Sequence, residues 1–124
     1  MKKIQKNERC YVEIRDKFDE SLKQLDANNI SYHKDCPNRI VIDSINFEKA
    51  IELMLSVGAK IVLILTIHSG LGYANEFAMM RVHNILDRHN IYCSVYDEDV
   101  WVKYEDIDKA LELIKKINCR ASLC

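Results

Sequence analysis

KIVLILTIHSGLGY, residues Lys60 to Tyr73, decides the fold. Its first part, Ile61-Val62-Leu63-Ile64-Leu65, is apolar at every position. A strand with one wet face alternates polar and apolar residues. An unbroken apolar run predicts a strand covered on both faces, inside a sheet. Its second part, His68-Ser69-Gly70-Leu71-Gly72-Tyr73, is a loop holding two of the three glycines of the chain. Ala74, Phe77, Ala78, Val82, Ile85 and Leu86 then recur at helical spacing. The stretch reads as strand, loop, helix.

On its N-terminal side, Cys10 to Ile14 alternates as a short strand, and Phe18, Leu22 and Leu25 mark a helix that Asn28-Asn29 ends. Ile30-Ser31-Tyr32 reads as a strand, Lys34 to Asn38 as a turn and Arg39 to Asp43 as a strand. Ser44 and Asn46 are candidate caps for a helix with Phe47, Ala50, Ile51, Met54 and Leu55 inward, closed by Gly58. On the C-terminal side, Ile91 to Tyr96 is a strand, Asp97-Glu98-Asp99 a turn and Val100 to Tyr104 a strand. Asp106 is the candidate cap of a last helix, with Ile107, Ala110, Leu111, Ile114 and Ile117 on its core face.

The two sides match each other. Leu25-Asp26 with Asn29-Ile30 corresponds to Leu86-Asp87 with Asn90-Ile91, 61 residues on. Ile40-Val41-Ile42 corresponds to Val100-Trp101-Val102, and Lys49 to Leu53 corresponds to Lys109 to Leu113, both 60 residues on. The one-residue slip is expected in the hairpin turn, where deletions are best tolerated. Each half reads strand, helix, strand, strand, helix, and the strand Lys60–Ile67 ends one half and opens the next. This predicts an α+β fold of tandem ferredoxin-like βαββα repeats sharing a central strand. The sheet would be mainly antiparallel with the helices on one face. The expectation is one compact domain over residues 1–124, with repeats at about 9–59 and 60–124. The first half runs from strand to helix directly through Ile14-Arg15-Asp16. The second inserts His68 to Tyr73, an addition the fold does not need, which makes it the candidate site.

With 48% hydrophobic and 30% charged residues, the chain has material for a core and a solvated surface. A net charge of -1 opposes broad nucleic-acid binding, which needs a basic face. No apolar signal-peptide core follows Met1-Lys2-Lys3, and the longest apolar run is too short to cross a bilayer. Five scattered cysteines without a CxxC pair fit reduced thiols. The expectation is a cytoplasmic protein that contacts neither membrane nor nucleic acid.

The strand Ile61–Ile67, the glycine-bearing loop Ser69–Tyr73, the helix Ala74–Arg88, and Asn90-Ile91 opening a hairpin together resemble an ACT domain. Asp106 to Leu113, DIDKALEL, is similar to the closing helix of that family, and the tandem regulatory region of aspartate kinases has the most similar layout. The resemblance spans Lys60 to Asn118, and more weakly Arg9 to Ala59. It implies a small-molecule-sensing regulatory module that binds an amino acid or similar small anion and pairs as a homodimer. Carried over by position, the ligand-binding residues are Ser69, Gly70, Leu71, Gly72, Tyr73 and Asn75, with Asn90 and Ile91 from the neighbouring strand. The family loop has Pro-Gly after an acidic or polar residue, whereas this chain has Ser69-Gly70-Leu71-Gly72 and no Pro.

Glycine lets backbone N–H groups approach a carboxylate or phosphate, and a helix N-terminus favours negative charge. The plain alternative is a turn that needs positive φ. The third glycine of a dinucleotide fingerprint is missing. His68 and Ser69 could serve a small hydrolase, but they point to opposite faces of a strand and no acid–base partner can be assigned. His33 and Cys36 lack a second pair at zinc-ligand spacing. Glu76, His83 and Asp87 read as a polar helix face. Asp97-Glu98-Asp99 is an acidic tip that could meet a basic partner. Trp101, Tyr96 and Tyr104 are either core or an interface patch. The expectation is a sensor without metal or cofactor; the balance leans against enzyme activity, with a small hydrolase as the third alternative. The alternative is a stoichiometric protein-binding protein of the immunity or inhibitor kind.

Overall fold

The computed structural model describes residues 4–124. The chain divides into two compact units, residues 6–62 and residues 63–124 with Ile4 and Gln5. A two-residue strand β1 (Gln5–Lys6) lies at the division. The first repeat runs β2 (Arg9–Asp16), α1 (Phe18–Ala27), β3 (His33–Cys36), β4 (Arg39–Asp43) and α2 (Phe47–Ser56). The strand β5 (Lys60–Ser69) follows, and the chain passes from one unit to the other within it. The second repeat continues from β5 through β6 (Gly72–Tyr73), α3 (Glu76–Arg88), β7 (Cys93–Tyr96), β8 (Asp99–Lys103), α4 (Ile107–Lys116) and β9 (Cys119–Leu123). The fold is therefore α+β, two ferredoxin-like βαββα repeats sharing β5.

In the first unit β2 and β4 pair antiparallel, from Arg9↔Asp43 to Glu13↔Arg39, and β3 adds to β4 antiparallel. One face of this ladder, with Val12, Ile14, Ile40 and Ile42, is buried under α1 and α2. Phe47 opens α2 fully buried; a side chain of that size stabilises by about 1.5–3 kcal/mol on burial. The second unit repeats the plan. β5 pairs with β8 and, antiparallel, with β9; β7 pairs antiparallel with β8. Val100 and Val102 face inward, in the places of Ile40 and Ile42. Residues Ile61 to Ile67 of β5 are all buried, as the unbroken apolar run requires.

The one-residue slip between repeats is a β-bulge rather than a longer turn. Lys34 pairs with Ile40 but Cys36 pairs with Arg39, so the additional residue, Asp35, is absorbed inside β3. Both hairpins turn in two residues, Pro37-Asn38 and Asp97-Glu98. The strands expected at Ile30 and Ile91 begin later, at His33 and Cys93, because Ile30 and Ile91 are the buried residues that close the preceding helices. Neither Asn46 nor Asp106 caps with its side chain. A 3-10 turn leads into α2 and α4 instead, and its tighter bonds take up the first amides. Leu55 is 40% exposed, and in α3 the inward position expected of Phe77 belongs to Met79. Among the described residues no helix is long and apolar enough to cross a membrane.

Candidate functional site

The inserted loop is a β-hairpin. His68 and Ser69 at the end of β5 pair with Tyr73 and Gly72 of β6, and Gly70-Leu71 makes the turn. Gly70 has φ 63°, which glycine takes without strain. Leu71 at the tip is fully exposed. Ala74 N–H then donates to Ile67 O, bringing the chain back beside β5 before α3 starts.

Asn75 is the N-cap of α3. Its Oδ1 accepts from Ala78 N–H at 2.9 Å, and its carbonyl accepts from Met79 N–H. Asn90 and Ile91 lie past the other end of the same helix, whose thirteen residues span roughly 20 Å. Asn90 sits at φ 60° and Ile91 is buried, its N–H bonded to Leu86 O. Within one chain, the fold brings Ser69 to Tyr73 and Asn75 together and holds Asn90 and Ile91 apart from them.

Residues from β9 and β8 converge on the hairpin instead. In the register of β9 on β5, Arg120 stands opposite His68 and Ser122 opposite Thr66. Arg120 Nη2 donates to Gly70 O at 2.6 Å and so holds the turn. His68 Nε2 and Ser122 Oγ share a hydrogen bond at 3.1 Å. The His68 and Tyr73 rings stack with centroids 5.3 Å apart. On the other side of β5, Thr66 Oγ1 donates to Asp99 Oδ1 at 2.8 Å. Thr66 and Ser122 are buried, while His68 and Asp99 are half-buried. Burial pushes the Asp99 carboxyl above its usual pKa; the Thr66 hydroxyl pulls it back, and Glu98 and Asp97 add to the rise.

This row places a guanidinium, an imidazole, two hydroxyls and a carboxyl on neighbouring strands. Arg120 has one N–H committed to Gly70 O and a further edge able to receive a carboxylate or phosphate. The histidine is bonded to Ser122, not to Ser69 on the opposite face. Among the described residues no three His, Cys, Asp or Glu side chains converge as a metal site. Cys36 accepts from Arg39 Nη2 at 3.3 Å. Arg120 and Ser122 escaped the sequence reading because β9 was not assigned. Its signal is the alternation Cys119, Ala121, Leu123 against Arg120, Ser122.

No family model matches this sequence, and no curated protein does. Among solved structures, the crystal structure of aspartokinase alpha and beta subunits aligns over 90% of this chain and 89% of that chain, at 13% identity and a TM-score of 0.38. The likeness is distant and concerns the fold alone.

Proposed function

We propose that the chain is a small-molecule-sensing regulatory module of ACT-like type that binds an amino acid or similar small anion at the β5–β6 hairpin. The observation that supports this is the Arg120 guanidinium fastened beside Gly70, with His68, Ser122 and Tyr73 around it. A ligand carboxylate accepts from Arg120, the backbone and side chains of Ser69 to Tyr73 close around it, and the Tyr73 ring shields one side. Asn75 can offer its NH2 group, since its oxygen is committed to Ala78. Asn90, at the far end of α3, reaches such a ligand only from a second chain, with the buried Ile91 anchoring its turn, so a homodimer is part of the proposal. A cytoplasmic setting is part of the proposal, in keeping with five scattered cysteines and no CxxC pair.

Thermal unfolding across a panel of amino acids, organic acids and nucleotides tests the reading. One compound should raise the midpoint, and go on raising it logarithmically with concentration above saturation, and Arg120→Ala should abolish the rise while keeping the circular dichroism of the parent. If no compound shifts the parent, or the shift survives Arg120→Ala, the site is wrong.

A further inference from the structure

The strand β7 is an edge without the protection its counterpart has. Among the described residues it pairs with β8 alone, and β3 pairs with β4 alone. An open edge is a template for another chain unless charges or a bulge prevent pairing. β3 has both, reading His33-Lys34-Asp35-Cys36 with its bulge at Asp35. β7 reads Cys93-Ser94-Val95-Tyr96, with no charge, and its ladder to β8 runs without a bulge. Val95 and Lys34 occupy the same place, each opposite the first inward residue of the next strand, Val100 or Ile40.

The helix beside β7 differs in the same sense. Counting from Leu25 and Leu86, Phe77 and Met80 stand where the first repeat has Asp16 and Asp19. Both are exposed, at 66% and 56%. Between α3 and β7 lies an open groove of about 450 Å³ lined by Glu76, Met79, Met80, His83, Val95 and Asp97. Its apolar lining is Met79, Met80 and Val95, and methionine adapts to an incoming apolar side chain. Its rim carries the carboxylates of Glu76 and Asp97, and Glu98 and Asp99 follow.

We propose that β7 and this groove dock an extended segment of another protein whose every second residue is apolar and whose end beside Glu76 and Asp97 carries lysine or arginine. The segment adds to β7 as a further antiparallel or parallel strand, so main-chain hydrogen bonds supply affinity. Every second side chain of an added strand lies on one face, so its apolar side chains lie on Met79, Met80 and Val95, and the basic residue at its end reaches Glu76 and Asp97. A second copy of β7 is a poor occupant. Tyr92 to Asp99 holds three carboxylates and no Lys or Arg, so self-pairing offers the acidic rim nothing to meet. This inference does not depend on a ligand at the β5–β6 hairpin.

The probe is a ten-residue peptide with Val at alternate positions, Thr between them and Lys at both ends (the Lys–Val peptide), with the same peptide ended by Glu (the Glu–Val peptide) as its control, titrated into the full chain. Fluorescence anisotropy reads affinity, and amide hydrogen exchange reads where the peptide lies. The Lys–Val peptide should bind and slow exchange within residues 93–96. Val95→Lys, which gives β7 the edge charge of β3, should weaken it at least about tenfold, a loss of about 1.4 kcal/mol. Asp97→Asn, which removes the charge and keeps a residue suited to the positive φ of 50° at that turn, should also weaken it. Equal binding of the Glu–Val peptide, binding without slowed exchange at 93–96, or undiminished binding by both variants overturns the proposal. Slowed exchange at 93–96 that grows with protein concentration in the absence of peptide assigns the edge to a second copy and also overturns it.

Discussion

Asn29 and Asn90 hold the same left-handed backbone, at φ 57° and 60°, two residues past the ends of α1 and α3. Each donates its N–H to the carbonyl three residues back, Asp26 or Asp87, and the next residue returns to the carbonyl of Leu25 or Leu86 at 2.9 Å. This is the Schellman closure, and the buried Ile30 and Ile91 supply its apolar contact. Gly58 and Asn118, at φ 82° and 61°, hold the same place after α2 and α4.

The closure makes a stability prediction at Asn90. Asn90→Gly should leave the chain as stable as the parent or slightly more so, because glycine takes positive φ freely. Asn90→Val should cost about 1–2 kcal/mol, the penalty for a branched residue in left-handed backbone. Urea midpoints of the two variants decide it. Equal losses would mean that the position selects the asparagine side chain rather than the dihedral angle.

The two loop glycines should behave differently from each other. A Cβ at either meets nothing within 4 Å, so space is not the constraint. Gly70 has φ 63° and Gly72 has no positive φ. Gly70→Val should cost about 1–2 kcal/mol, whereas Gly72→Ala should change stability by less than about 0.5 kcal/mol. Paired urea titrations read both.

Asp99 makes stability depend on pH. Burial raises its pKa, the Thr66 hydroxyl opposes the rise, and Glu98 and Asp97 add to it. A carboxyl with a raised folded pKa holds its proton more tightly in the folded chain. Its contribution is complete below the unfolded value, about 3.9, and is lost as pH rises through the folded value. Asp99→Asn keeps an oxygen for Thr66 and removes the titration. It should match the parent in acid and gain on it as pH rises toward neutrality. Thr66→Val should steepen the fall of the parent profile. Urea midpoints across acid to neutral pH give both comparisons, and a parent-to-Asn difference independent of pH contradicts the assignment.

How much of this was legible depended on the kind of signal. The apolar run of β5, the helical stripes and the matched Leu-Asp…Asn-Ile ends are local patterns, and they placed the repeats. The Asn90-Ile91 pair was legible as a recurring motif but not as a helix closure, because a ligand contact and a left-handed cap look the same in sequence. The one-residue slip was visible, yet only pairing shows that the strand, at Asp35, and not the turn absorbs it. Arg120 lies fifty residues from Gly70, and nothing local joins them. Phe77 and Met79 both fit a helical stripe, and packing against the sheet chose Met79.

Ser21 supplies the last prediction. It is fully buried in α1, and its Oγ is the one buried side-chain oxygen or nitrogen without a hydrogen-bond partner among the described residues. An unpaired hydroxyl in a dry core loses water and gains nothing, at a cost of about 1–3 kcal/mol. The second repeat solves the same position with Val82, also fully buried. Ser21→Ala removes the unpaired oxygen without adding volume and raises helix propensity, so it should stabilise the chain by about 1 kcal/mol. Ser21→Val copies Val82 but adds bulk at a fully buried position, so it should gain less than alanine. A higher urea midpoint for Ser21→Ala, with an unchanged slope, is the expected result. A loss of stability in the alanine variant would mean that the hydroxyl has a partner, such as a bound water, that the alanine cannot keep.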